Sequence, residues 1–312
     1  MAAPALSSLR AHVLLLLLGF GLLAAVAPVL SDYPLEIGFR ILLLITLAET
    51  WNLLAGYGGL VSLGTACFFG IGAYGFTVLM NFAGLPIGLA MPLAGLGAAL
   101  LAALVSRAMF RMRGLYFTVG TLALAEATRM FMINYNGLGG ATGLFLVQDP
   151  PGLFELYLIA LALLGLTTAL MTLLTRSRFS ILLRAVRDDE DAAAQIGVRT
   201  FRIKLIVFVV ASFLMGMAGA LQGLKLGAIE PYGMFGLQWT VNVLAIVIIG
   251  GQGLRAGPIV GAIFVIAIGE LLADYPALHL ALTGLILIVV IRFAPQGLVG
   301  LGRRLLDRGR QE

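Results

Sequence analysis

"LLRAVRDDEDAAAQIGVRT", residues 182–200, is the one long polar stretch in a 312-residue chain that is 61% hydrophobic and 11% charged. Arg184, Arg187 and Arg199 surround four consecutive acids, Asp188, Asp189, Glu190 and Asp191, which run into Ala192, Ala193 and Ala194. Acids are favourable at a helix start, through capping and the macrodipole. Alanines propagate a helix and Gly197 is a natural stop. Arg199, Arg202 and Lys204 then follow at the electronegative end. The pattern predicts a helix of about two turns, roughly 12 Å long. Ala192, Ala193 and Ile196 would give it a small apolar face, which an isolated solvated helix this short does not need. A plain solvated loop and a docking site for a soluble partner both fit this stretch.

The rest of the chain belongs to a different solvent. Soluble domains are about 25% charged and under half apolar, whereas here the mean hydropathy is +1.05. Forty glycines suit closely packed transmembrane helices. One cysteine, Cys67, sits in an apolar run and excludes an intrachain disulfide. The net charge of +5 reports topology rather than nucleic-acid binding.

A span needs about 20 apolar residues. About ten such runs are found, near 12–30, 37–55, 62–81, 86–106, 115–133, 153–175, 203–226, 238–250, 257–273 and 277–293. The eighth and ninth are short. With 176–202 placed in the cytoplasm and the spans alternating from it, Arg10, Arg107, Arg111, Arg113, Arg255 and the tail (Arg303, Arg304, Arg308, Arg310) all fall inside. Of the 20 Lys and Arg, only Arg40, Arg129 and Lys225 fall towards the outer side. That skew is the positive-inside pattern and puts both termini in the cytoplasm. The outer loops, among them "NYNGLGGATGLFLVQDPPG" and "EPYGMFG", are turn-rich, and none can hold a soluble domain. The expectation is a single membrane domain over 1–312, all-α and polytopic, in a bacterial inner membrane. Arg10, the run 13–27 and "AVAP" also resemble a cleavable signal peptide; a retained first helix fits the span scheme better.

Ionisable groups inside spans are functional hypotheses by default. Glu126 and Arg129 stand at i, i+3 and predict an intrahelical ion pair. Glu49 and Glu270 have no partner visible in sequence. No ladder of acids and histidines supports proton-coupled transport, and one Cys with two distant histidines (His12, His279) makes no metal set. "AGYGGLVSLGTACFFGIGAYG" (55–75) and "IGGQGLRAGPIVGA" (249–262) place glycines at the inner side of spans. No P-loop occurs, and a dinucleotide fingerprint would need a soluble βαβ unit. These turns read as broken or tightly packed helices, tolerated at membrane depth only where buried or lining a cavity. Asn52, Ser62 and Thr65 are the candidate pathway-lining residues there, since helix ends suit an anion.

Taken in order, "WNLLAGYGGLVSLGTACFFGIGAYG", "RMRGLYFTVGTLALAEATRMF", "GGATGL", the run 176–221, "GGQGLRAGPIVGA" and "FAPQGLVG" resemble the LivM-like permease subunits of ABC importers for branched-chain amino acids. The likeness spans residues 51 to 300. It implies the type II importer fold, with two related halves around a central path. It also implies two cytoplasmic ATP-binding subunits, a periplasmic solute-binding protein and a second, homologous permease. This chain would bind no cofactor, and its partners would use the ATP. Residues 176–202 would form the ATPase-coupling loop, carried by Arg184, Arg187, Asp188, Asp189, Glu190, Asp191, Ala192, Ala193 and Gly197. The coupling-helix spacing D-A-A-x-x-x-G selects Asp191 as the key acid, while the closer LivM-like pattern selects Glu190. Glu230 before Pro231 departs from the family and puts the substrate in doubt. Relatives in this family also carry urea, short amides or aromatic acids. A membrane enzyme lacks a nucleophile, base or metal constellation here, and an ion-coupled secondary carrier would need midplane ion ligands.

Overall fold

The computed structural model describes residues 18–272 and 296–308, with residues 282, 284–286, 288 and 292 between them. The predicted tenth span, 277–293, and the predicted roles of Arg10, His12, His279 and Arg310 lie outside the described residues or among these isolated ones.

The helices, in chain order, are α1 (Leu18–Val29), α2 (Asp32–Asn52), α3 (Thr65–Ala83), α4 (Ile87–Met109), α5 (Leu115–Asn134), α6 (Leu153–Arg176), α7 (Phe179–Asp188), α8 (Glu190–Gln195), α9 (Thr200–Leu226), α10 (Pro231–Met234), α11 (Leu237–Gly250), α12 (Gly257–Leu271) and α13 (Gly297–Arg308). Nine of the ten predicted spans coincide with helices, from the first at α1 to the ninth at α12. Among the described residues, six stretches are long and apolar enough to cross a membrane: Asp32–Tyr57, Thr65–Ala83, Ile87–Met109, Leu153–Arg176, Thr200–Leu226 and Pro231–Gly250. The described part of the first predicted span is an apolar helix, Leu18–Val29, and the ninth is a short apolar helix, Gly257–Leu271. The fifth, α5, has the length but carries Glu126 and Arg129. The eighth is longer than its apolar run: the Pro231 turn extends it to a 20-residue crossing.

Glycine and proline set the ends. Gly84 (φ +61) and Gly227 (φ +67) close α3 and α9 in the left-handed region that favours glycine. Pro86 precedes α4 and Pro150–Pro151 precede α6, where a fixed φ and a missing donor cost a helix nothing. All-α needs one amendment. Leu144–Phe145 (β1) pairs antiparallel with Ala228–Ile229 (β2), at the end of the bundle away from α8. Asn81 extends the ladder, its Nδ2 donating to Phe145 O (2.7 Å) and its Oδ1 accepting from Val147 N (3.0 Å).

The core is built on α9. This 27-residue helix lies against α3 and α4 most extensively, and also touches α2 and α6. Small residues allow that closeness: a Cβ on Gly72 would collide with the Gly216 carbonyl, and one on Gly219 with the Phe69 carbonyl. Backbone-to-backbone packing of this kind is the membrane alternative to a hydrophobic driving force between helices.

Candidate functional site

The polar stretch holds the expected short helix as α8 and a second helix, α7, before it. Arg184, Arg187 and Asp188 lie on α7, and Asp189, in extended conformation, separates it from α8. The Asp189 carboxylate accepts from Asp191 N (3.0 Å) and Ala192 N (2.9 Å), so it is the N-cap of α8. At the other end Val198 N donates to Ala193 O and Gly197 N to Ala194 O, both at 3.0 Å. With Gly197 at φ +87 this is a Schellman stop. The predicted short helix is therefore present as α8, with its start fixed at Asp189, whose side chain takes the first amides that a helix beginning there leaves free. The predicted apolar face also divides. Ala193 is buried in the bundle, whereas Ala192 is exposed and Ile196 stands 77% exposed at the tip.

Three side chains strap this segment to the bundle. Arg187 Nη1 donates to the Gly56 carbonyl at 3.1 Å, and its Nε to Asp188 at 2.9 Å. Glu190 pairs with Lys204 of α9, whose ammonium lies 5.9 Å from the Phe110 ring centroid. Asp191 pairs with Arg113 of the α4–α5 turn at 2.8 Å, and the Asp191 hydrogen bond, with the charges of both acids, raises the Arg113 pKa. Arg184 turns back on its own helix, to Ser180 O at 3.3 Å. Between these straps and Gly58, Gly59 and Gly114 lies a polar cleft of about 180 Å³. Lys204 stands one residue inside an apolar run, which is the only sequence signal for its pairing. Arg113 and Gly56 carry none, because their contacts join distant parts of the chain.

The glycine turn after α2 is a break in the helix. Leu53–Tyr57 continue α2 as a π-helical turn, and residues 58–64 are irregular before α3 begins. Side chains of other helices satisfy this backbone. Thr121 accepts from Leu63 N (2.9 Å), Thr118 donates to Val61 O (2.8 Å), and Thr240 accepts from Ala66 N (3.3 Å). Trp51 Nε1 donates to Ser62 O at 2.7 Å. Among the three candidate lining residues, Asn52 and Ser62 already bond backbone. Asn52 accepts from Gly253 N (2.7 Å) and donates to Leu254 O (3.1 Å), while Ser62 Oγ accepts from Gly64 N (3.1 Å). Thr65 is fully buried, and its hydroxyl has no partner among the described residues.

Several other charged groups of the helices have partners. Arg129 Nε donates to Glu126 at 3.0 Å on α5, beside the Tyr232 ring (5.5 Å). Glu270, without a visible partner in sequence, accepts from Arg40 (2.7 Å) and from the Tyr33 hydroxyl (2.9 Å). Glu49 accepts from Thr168 at 3.0 Å, and Lys225 pairs with Glu36. Apart from the Glu126–Arg129 pair, these partners come from other helices, so spacing along the chain could not announce them. Among the described residues no three His, Cys, Asp or Glu side chains cluster to hold a metal. Cys67 is buried and free, its sulfur 3.3 Å from Thr128 Oγ1.

The family model for "Branched-chain amino acid transport system / permease component" matches residues 33–291. The chain is 29% identical to the high-affinity branched-chain amino acid transport permease LivM of Escherichia coli K12, covering 96% of this chain and 78% of that protein. The Salmonella typhimurium LivM is also 29% identical, over 88% and 71% of the two chains. The permease LivH of Escherichia coli K12 is 27% identical over 42% of this chain and 43% of its own. No solved structure matches. A match over most of the chain, on a bundle of membrane-length helices, places it in a family: this multi-pass membrane protein belongs to the permease components of branched-chain amino acid transport systems, subunits of ABC importers.

Proposed function

We propose that this permease imports branched-chain or related hydrophobic amino acids, with ATP bound and hydrolysed by two partner subunits docked at residues 176–202. In this reading the whole chain, 1–312, is one permease domain. Residues 179–196 and both termini face the cytoplasm, and a periplasmic binding protein delivers solute to the opposite end, near β1 and β2. A second, homologous permease completes the path. The observation that carries the reading is the architecture of α7 and α8. A short helix, capped at both ends and strapped to α2, α9 and the α4–α5 turn, presents Ile196 to solvent. An exposed apolar tip on a rigid mount suits a docking helix better than a loop.

The exposed side of α5 supports the second permease. The Glu126 side chain is 51% exposed in the isolated chain, and a charged group in a span faces a bundle interior or a water-filled cavity. We therefore assign that face to the subunit interface and the path, with Thr65, whose hydroxyl has no partner among the described residues, as the pathway residue of the α2–α3 break. The test is reconstitution in liposomes of the chain with a homologous permease, two ATPase subunits and a periplasmic binding protein from the same organism. ATP-dependent leucine uptake is expected. Uptake by this chain alone along an ion gradient would overturn the reading, and uptake of urea or short amides instead would reassign the substrate.

A further inference from the structure

Asn52 sits at the junction of the two glycine-rich turns, and both the oxygen and the nitrogen of its amide bond one of them. Its Oδ1 accepts from Gly253 N (2.7 Å) and its Nδ2 donates to Leu254 O (3.1 Å), across about 200 residues of chain. The side chain, 1% exposed, thus treats the α11–α12 turn as a neighbouring strand would. One helical turn further along α2, Gly56 approaches the same group. A Cβ on Gly56 would collide with Asn52 Oδ1 and lie 2.6 Å from Gly253 N. The Gly56 carbonyl, in turn, is the group that Arg187 of α7 grips at 3.1 Å. Arg187 also packs its Cγ where a Cβ of Gly59 would stand, at 2.8 Å. Arg187, Gly56, Asn52 and Gly253 are therefore consecutive contacts from the polar segment to the α11–α12 turn.

The chain of contacts has the physical properties of a transmitting element. Interiors packed without space pass on displacement rather than absorb it. The π-helical turn Leu53–Tyr57 is the deformable element, because it is not held in the regular α register. The receiving turn is equally tight. A Cβ on Gly251 would stand 2.6 Å from Gln296 O, and one on Gly261 would collide with Ile246 O. Towards the α11–α12 turn, Gly56 has no space for even a methyl group before it meets Asn52 and Gly253.

We infer that Asn52 is the positioning residue that carries movement of the α7–α8 segment to the α11–α12 turn, with Arg187 as its grip on the α2 break. The inference rests on the reading of α7–α8 as the ATPase-docking segment. It assigns the last step, from the α2 break to the α11–α12 turn, to a neutral amide and backbone groups.

Two measurements test it. Hydrogen exchange on the full chain in lipid nanodiscs needs no transport activity. Arg187→Ala and Asn52→Asp should each raise exchange of the 250–257 amides at least tenfold, and Arg187→Lys, which keeps a donor for Gly56 O, should restore most of the protection. A rise confined to 56–59 in Arg187→Ala overturns the relay. In the assembled transporter, each of Arg187→Ala and Asn52→Asp should lower solute moved per ATP hydrolysed at least fivefold. The double variant should be no worse than the poorer single one, because the two act in series. Additive losses, or an unchanged ratio, overturn the positioning role. A wild-type complex without ATP-driven uptake would refute the docking reading on which the inference rests. The exchange experiment would still establish or refute the contact relay.

Discussion

Lys204 of α9 and Glu190 of α8 form an ion pair in which the lysine side chain is 8% exposed, whereas the adjacent Asp191 meets an Arg113 that is 63% exposed. Sequence patterns leave open which of the two acids matters. Their surroundings differ, and with them the expected cost of losing each acid. An exposed pair contributes about 0–1 kcal/mol, while breaking a buried one costs roughly 3–5 kcal/mol. Glu190→Gln should therefore fall between these limits, and Asp191→Asn should lie near the lower one. Thermal unfolding of the detergent-solubilised chain measures both, and equal losses would contradict the assignment.

Gly197 holds φ +87, and nothing lies within 4 Å of the point where a Cβ would stand, so a substitution there meets strain and no collision. Gly197→Val should destabilise the α8 stop by about 1–2 kcal/mol and lower ATP-coupled uptake. Gly197→Asn should be milder, since asparagine tolerates the left-handed region. Uptake assays on the two variants side by side check this, and wild-type uptake by Gly197→Val would return the segment to the status of a loop.

The α3–α9 contact predicts a contrast between glycines. Gly72→Ala forces a methyl into the Gly216 carbonyl and should cost about 1–3 kcal/mol by overpacking. Gly97→Ala, on α4 with nothing within 4 Å, should be neutral or should gain up to ~1 kcal/mol of helix propensity. Melting temperatures of the two variants would separate them.

The Glu126–Arg129 pair allows a test of structure against transport. Arg129→Ala leaves a lone carboxylate on α5, with a penalty of roughly 2.5–3.5 kcal/mol on insertion scales, and should lower the amount of folded protein. The double variant Glu126→Gln with Arg129→Gln removes both charges and should restore folding. If leucine uptake returns with it, the pair is structural; if folding returns without uptake, this face of α5 belongs to the path.

Much of the fold is legible in the sequence because one solvent, the bilayer, imposes one rule on length and polarity. The limits of α3, α4, α6 and α9 follow from apolar runs closed by Gly84, Pro86, Pro150–Pro151 and Gly227. Glu126 and Arg129 are readable as neighbours because helical spacing is local. The straps are not. Nothing near Arg187 in sequence points to the Gly56 carbonyl, and nothing near Glu270 points to Arg40 and Tyr33. The split of the polar segment into α7 and α8 escapes the sequence for a local reason: two adjacent aspartates offer alternative caps, and only the backbone conformation of Asp189 selects between them.

Cys67 lies buried on α3 and is the one cysteine of the sequence. A membrane-impermeant maleimide added to the folded protein therefore has no native target. A single new thiol in place of Ile196 would be the sole labelled atom, and so would one in place of Phe82, 72% exposed near the far end of α3. In sealed, right-side-out vesicles the Phe82→Cys protein should take up the reagent at once, and the Ile196→Cys protein only after the vesicles are opened. The reverse order would turn the whole molecule over. A single shielded sulfur thus makes the chain its own compass, with no background to subtract.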